Sequence, residues 1–161
     1  MVFGFGKKKE LKEDAALYAP LAGTVIPVEE VADPVFSKKM MGDGYAVEPT
    51  ADKIVAPVSG KVTVVQGHAL GFERADGLHV LLHVGLDTVS LNGAPFKFTV
   101  KVGDIVDGGD AVGTVDWAQV EAAGLGKTTM VIFVDMPEAP EFSVEYAAVD
   151  AGSPVGNATV K

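Results

Sequence analysis

The chain has 161 residues, 48% of them apolar, with 22 acidic against 13 basic side chains for a formal net charge of −9, and it contains no cysteine. That length suits one domain with a sizeable core. Disulfides, thiolate catalysis and cysteine-ligated zinc are excluded, and the acidic balance argues against nucleic acid while favouring basic protein partners or plain solubility.

No apolar run approaches the ~20 residues of a membrane span and no signal-peptide core opens the chain, so a cytoplasmic protein is expected. Residues 1–16 read as a flexible tail. Phe3 and Phe5 stand beside Lys7, Lys8 and Lys9, a composition that offers weak contact with an anionic membrane, but Gly4 and Gly6 work against an amphipathic helix. From 17 to 161 a single domain is expected. Short β-branched runs appear at Gly23–Val28, Ile54–Pro57, Lys61–Val65 and Val80–Val84, cut by Gly, Pro and Asp. This spacing predicts an all-β, antiparallel, meandering β-sandwich, with tight turns at Gly103-Asp104 and Gly109-Asp110.

Ala19-Pro20-Leu21-Ala22-Gly23-Thr24-Val25 is echoed by Ala56-Pro57-Val58-Ser59-Gly60-Lys61-Val62. Two similar strand-turn units follow, and strand entry explains the echo better than a duplicated ligand site. Asp116 is an N-cap candidate for a helix of about two turns that stops at Gly124. Thr128–Val134 reads as a buried strand and Ser153–Val160 as a closing one.

All three histidines, His68, His79 and His83, lie between positions 67 and 84. His83 ends an apolar strand and is followed by Gly85 and Asp87, which places an imidazole at a sheet rim, where it can act as a nucleophile without a metal. Period-2 alternation puts His79 on the same face, but about 13 Å away by strand rise, too far to share one phosphate or metal. His79 is therefore an incidental strand residue.

The blocks His68-Ala69, His83-Val84-Gly85-Leu86-Asp87-Thr88-Val89 and Leu91-Asn92-Gly93, together with Ala19–Gly23, Asp33–Phe36, Gly42–Gly44, Ala56–Gly60 and Val102–Asp104, resemble the glucose-type IIA domain of the bacterial phosphoenolpyruvate-dependent sugar phosphotransferase system. The resemblance implies a histidine phosphocarrier. His83 would accept phosphate from the small carrier HPr on Nε2, its Nδ1–H held by a backbone carbonyl just beyond, that of Gly85. The group would pass to the cysteine of a glucose-type IIB domain. His68 would stabilise the phosphoryl group. Asp87, Val35 and Phe36 would meet the partner proteins, with a turn-closing role for Asp87 and core positions for the other two as the alternatives. Regulatory protein targets are known among relatives, and neither cofactor nor metal is implied.

The sequence departs from the resemblance before the second histidine. The usual Phe-x-Thr-x-His-Ala pattern is replaced by Val65-Gln66-Gly67-His68 in a segment about two residues shorter. Gln66 is the substitute for the orienting threonine, at greater entropic cost. Val84 and Leu70 replace residues often aromatic there, which would alter the partner surface. Two rival readings stand beside the carrier. One is a zinc metallopeptidase-like β domain using two histidines and Asp87, which lacks a His-x-His arrangement and a catalytic base. The other is a non-catalytic, lipoyl-carrier-like binding module, which lacks a lysine at a hairpin tip.

Overall fold

A computed structural model describes residues 10–160. Its strands are β1 (Ala16–Tyr18), β2 (Gly23–Pro27), β3 (Gly44–Pro49), β4 (Lys53–Val55), β5 (Gly60–Gln66), β6 (Ala69–Glu73), β7 (His79–His83), β8 (Phe96–Phe98), β9 (Ile105–Val106), β10 (Ala111–Val115), β11 (Thr129–Val134), β12 (Glu141–Val144), β13 (Ala148–Val149) and β14 (Pro154–Thr159). Two short helices, α1 (Pro34–Ser37) and α2 (Trp117–Ala122), and two 3₁₀ turns at Val28–Glu30 and Thr88–Leu91 connect them. The expected all-β sandwich with short helical connectors is the fold observed. Asp116 caps α2 by accepting from the Ala118 N–H, as its position in sequence predicts.

The strands are antiparallel, but they do not run as one meander. An eight-stranded sheet has the order β13-β2-β3-β11-β7-β6-β5-β9, and two three-stranded sheets have the orders β1-β14-β12 and β4-β10-β8. The long order reads the same from either end when β2 is exchanged with β5, β3 with β6, β11 with β7 and β13 with β9. Extending the exchange to β1 with β4, β14 with β10 and β12 with β8 turns one small sheet into the other. The sequence echo is the visible trace of this duplication. Its two copies also pair with each other, the Tyr18 N–H donating to Pro57 O at 2.8 Å and the Val55 N–H to Pro20 O at 2.9 Å. Interlocked halves require crossovers where a meander would need none.

Leu82, Val80, Val84 and Leu70 point into the main core with Val131 and Phe133. Alternation then turns His79, Leu81 and His83 to the outer face of the long sheet. A smaller cluster of Val28, Val31, Phe36, Ala46, Met130 and Ile132 covers part of that face. The segment from Val28 to Ser37 is thus a cap laid over the sheet beside the end of β7.

Strand structure begins at Ala16, within one residue of the expected domain start, and residues just before it are already engaged. The Asp14 carboxylate accepts from the Tyr18 hydroxyl at 2.6 Å and from Ser59 Oγ at 2.7 Å. Arg74, almost wholly buried in the β6–β7 turn, is paired with Asp76 and donates to the carbonyls of Ala15 and Ala158. The membrane contact expected of Phe3, Phe5 and the three lysines lies outside the described residues. Among the described residues no helix is long and apolar enough to cross a membrane.

Candidate functional site

Residue pairing brings the two relevant histidines together. Ala69, first residue of β6, stands opposite His83, last residue of β7, and the His68 carbonyl accepts the Val84 N–H at 3.0 Å. The rings of His68 and His83 lie 4.8 Å apart at 70°. His79 sits at the other end of β7, opposite Val134 and near Glu73, and takes no part.

His83 is held in one orientation. Its Nδ1 lies 2.9 Å from the Gly85 carbonyl. A carbonyl only accepts, so Nδ1 carries the proton and Nε2 keeps its lone pair free. Gly85 has φ +81, and a Cβ there would meet Thr88 Cγ2 at 2.5 Å, so this position demands glycine. The loop is pinned from below by the buried Thr88, whose hydroxyl donates to the Val84 carbonyl, and from the side by the Leu86 N–H bonding to Gly126 O at 2.9 Å.

Burial pushes the His83 imidazole down to about 4; the charge of His68 acts in the same direction, and the Gly85 carbonyl and the carboxylates of Asp33 and Asp87 oppose it. At neutral pH the ring is therefore an uncharged nucleophile. The half-buried His68 is also lowered, by desolvation.

The other expected site residues divide. Asp87 is exposed at the mouth of the loop with φ +58, the left-handed residue that opens the 3₁₀ turn. Val35 is 38% exposed on α1. Phe36, expected with Val35 as an exposed anchor, is instead buried at 4% exposure, its ring 5.0 Å from that of His83. It supports the histidine from within the cap. Asp33 was missed as a site residue. It caps α1 by accepting from the Val35 N–H, and it faces Asp87 across a groove of about 540 Å³ also lined by Val35, Leu86, Leu125 and Gly126. The signal available was Asp immediately before Pro, an N-cap followed by a first-turn proline.

The departures before His68 have limited reach. Gln66 is exposed, and among the described residues neither ring nitrogen of His68 has a hydrogen-bond partner. Gln66 is therefore not the substitute expected. Val84 and Leu70 are both fully buried, so the surface around the site is unaffected by them. For the zinc alternative, the described residues contain no group of three or more histidine and carboxylate side chains arranged to hold a metal.

The all-β duplicated sandwich thus brings two imidazoles into contact at the rim of its long sheet, one of them neutral with Nδ1 engaged and Nε2 left as the nitrogen with a lone pair. Residues 15–139 match the family model of the phosphoenolpyruvate-dependent sugar phosphotransferase system, EIIA 1. The chain belongs to this family. It is 36% identical over 165 residues to a glucose-specific EIIA component of Halalkalibacterium halodurans, covering 98% of this chain and 95% of the relative. It is 46% identical over 108 residues to the glucose-specific EIIA component of Staphylococcus aureus strain Mu50, where the match spans 66% of this chain and 65% of that protein. The glucose-specific EIICBA component of Streptococcus pneumoniae serotype 4 matches over 129 residues at 46% identity, 79% of this chain and 18% of that one. The structure of glucose permease IIA from Mycoplasma capricolum superposes with a TM-score of 0.81 at 36% identity, covering 92% of this chain and 97% of the other.

Proposed function

We propose that the protein is a phosphocarrier in which His83 accepts a phosphoryl group from the phosphohistidine of HPr and passes it to the cysteine of a glucose-type IIB domain. The observation that carries this reading is the Nδ1–Gly85 contact, which leaves Nε2 as a free nucleophile on a neutral ring. In the first step the Nε2 lone pair forms a bond to phosphorus as the donor's N–P bond breaks. The Nδ1 proton stays in place, and the ring gains a positive charge that the Gly85 carbonyl and the carboxylates of Asp33 and Asp87 favour. A ring that resists protonation is then a good leaving group. The IIB thiolate attacks phosphorus, the new N–P bond breaks, and neutral imidazole returns.

His68, within reach of the group on His83, would donate to its oxygens as charge redistributes. Asp87, Asp33 and the exposed Val35 line the groove that would receive a basic, partly apolar partner surface. The pneumococcal relative's name joins A, B and C components in one chain, which supports IIB as the acceptor. A cytoplasmic location fits this relay.

Incubation with phosphoenolpyruvate, enzyme I and HPr should add an acid-labile phosphate to the wild type and none to His83→Gln, because glutamine has no nucleophile. His68→Gln should still become phosphorylated, but onward transfer to IIB should slow by about 10²-fold, the scale of one lost stabilising donor. Phosphate on His83→Gln overturns the acceptor assignment. Wild-type onward transfer by His68→Gln overturns the role of His68.

A further inference from the structure

The β5–β6 connection is two residues, Gly67 and His68, with Gln66 and Ala69 already paired across the hairpin. The tip of this hairpin rests on the loop that follows His83. A Cβ on Gly67 would lie 2.8 Å from the Cα of Gly93 and 2.9 Å from its nitrogen; a Cβ on Gly93 would in turn lie 3.1 Å from the Cα of Gly67. The two backbones are therefore in direct contact. Gly93 lies just beyond the 3₁₀ turn Thr88–Leu91, where Asn92 at φ +53 and Gly93 at φ +80 curl the chain back toward the hairpin. The same loop carries the Thr88 hydroxyl bond to Val84 and, through Gly85, fixes His83.

His68 has no side-chain hydrogen bond among the described residues, so nothing polar fixes its ring. What fixes it is backbone: its own carbonyl on the Val84 N–H, and the preceding residue on Gly93. We infer that Gly67 is the positioning residue of the second histidine, and that its missing side chain lets the hairpin seat directly on the loop of the first. The inference rests on the phosphocarrier reading for its consequence in transfer, though not for its geometry.

The colliding atoms are main chain on both sides, so a methyl group at Gly67 cannot be absorbed by a rotamer change. The hairpin tip or the loop has to move by about half an ångström or more to restore an ordinary contact. Displacements of about 1 Å at a reacting centre cost up to about 10²-fold in rate. Gly67 is exposed at a hairpin tip, away from the core, so Gly67→Ala should fold.

The test combines transfer kinetics with a distance readout. Gly67→Ala should still take up phosphate on His83, and its onward transfer to IIB should slow by about 10- to 100-fold. In a His68→Gln background the same substitution should change onward transfer by less than about twofold, because the residue acts through His68. Nuclear Overhauser contacts between the His68 and His83 rings, present in the wild type, should weaken in Gly67→Ala, whose backbone is free of the positive φ that would strain an alanine at Gly93. Equal slowing with and without His68, or ring contacts left intact in Gly67→Ala, overturns the inference. A wild type that takes no phosphate overturns the carrier reading, and the ring contacts then still decide the positional claim.

Discussion

At the scale of single residues, the site is governed by what burial does to one imidazole. His83 has its pKa held at about 4 chiefly by desolvation, against 6.5 for an ordinary histidine. Below about pH 6.5 the unfolded chain takes up a proton that the folded chain refuses. Stability is therefore lost as pH falls through the window from about 6.5 to about 4, by up to about 3 kcal/mol from this residue. His83→Gln removes the titration. Urea unfolding at pH 7 and at pH 4.5 should show the wild type losing about 2 kcal/mol more than the variant over that interval; equal losses would mean that the ring is as freely protonated in the folded state as outside it. Residue chemistry at this point was open to sequence reasoning, because an apolar strand ending in His-Val-Gly already places an imidazole at a rim with a glycine able to turn a carbonyl back to it. Phe36 was not open to it. An aromatic after Asp-Pro-Val can face either way, and only the seating of α1 on Met130 and Ile132 decides that it is buried.

At the scale of elements, the decisive unit is the loop from Val84 to Thr88. Its geometry depends on the Thr88 hydroxyl, fully buried and bonded to the Val84 carbonyl. Thr88→Val keeps the shape and removes the bond, which should cost about 1–2 kcal/mol in chemical denaturation and slow phosphate uptake as the Gly85 carbonyl loses its fixed direction. Uptake at the wild-type rate in a destabilised variant would show that Gly85 is fixed without Thr88. Elements with a strong local code were legible: the capped α2, the buried β11 and the closing β14 lie where the sequence puts them. Strand alternation also suffices to send Val84 and Leu70 inward, a consequence available from the inward Leu82 pattern although their substitution suggested the surface. Gln66 is the opposite case. A two-residue hairpin leaves its side chain pointing to solvent, and hairpin geometry is set by pairing across β5 and β6, which composition does not show.

At the scale of the whole molecule, a nearly symmetric scaffold carries an asymmetric site. The pairing of β7 with β11 is centred on Leu81 and Ile132, and the registers of β6 and β3 place Gly71 and Gly44 in matching positions beside them. The same exchange sets Val134 where His83 stands. Duplication thus supplies the frame, and one end of one copy holds the two contacting histidines. The echo Ala-Pro-aliphatic-small-Gly-x-Val made the repeat visible, but the interlocking of the halves was hidden, since it depends on long-range partners such as Ala19 with Ser153 and Ala56 with Asp110. The His83 ring lies on the outer face, between the ring of Phe36 in the cap and that of His68 at the hairpin tip, with Nδ1 engaged by the Gly85 carbonyl. The central claim of the proposed function is atomic: phosphate would go to Nε2 of His83. Nitrogen-15 and phosphorus-31 NMR of the phosphorylated protein, with selectively labelled histidine, measures this most directly. Phosphorus coupling to Nε2 of His83, with Nδ1 still protonated against Gly85, is the predicted result, and phosphate on Nδ1 or on His68 would contradict the account.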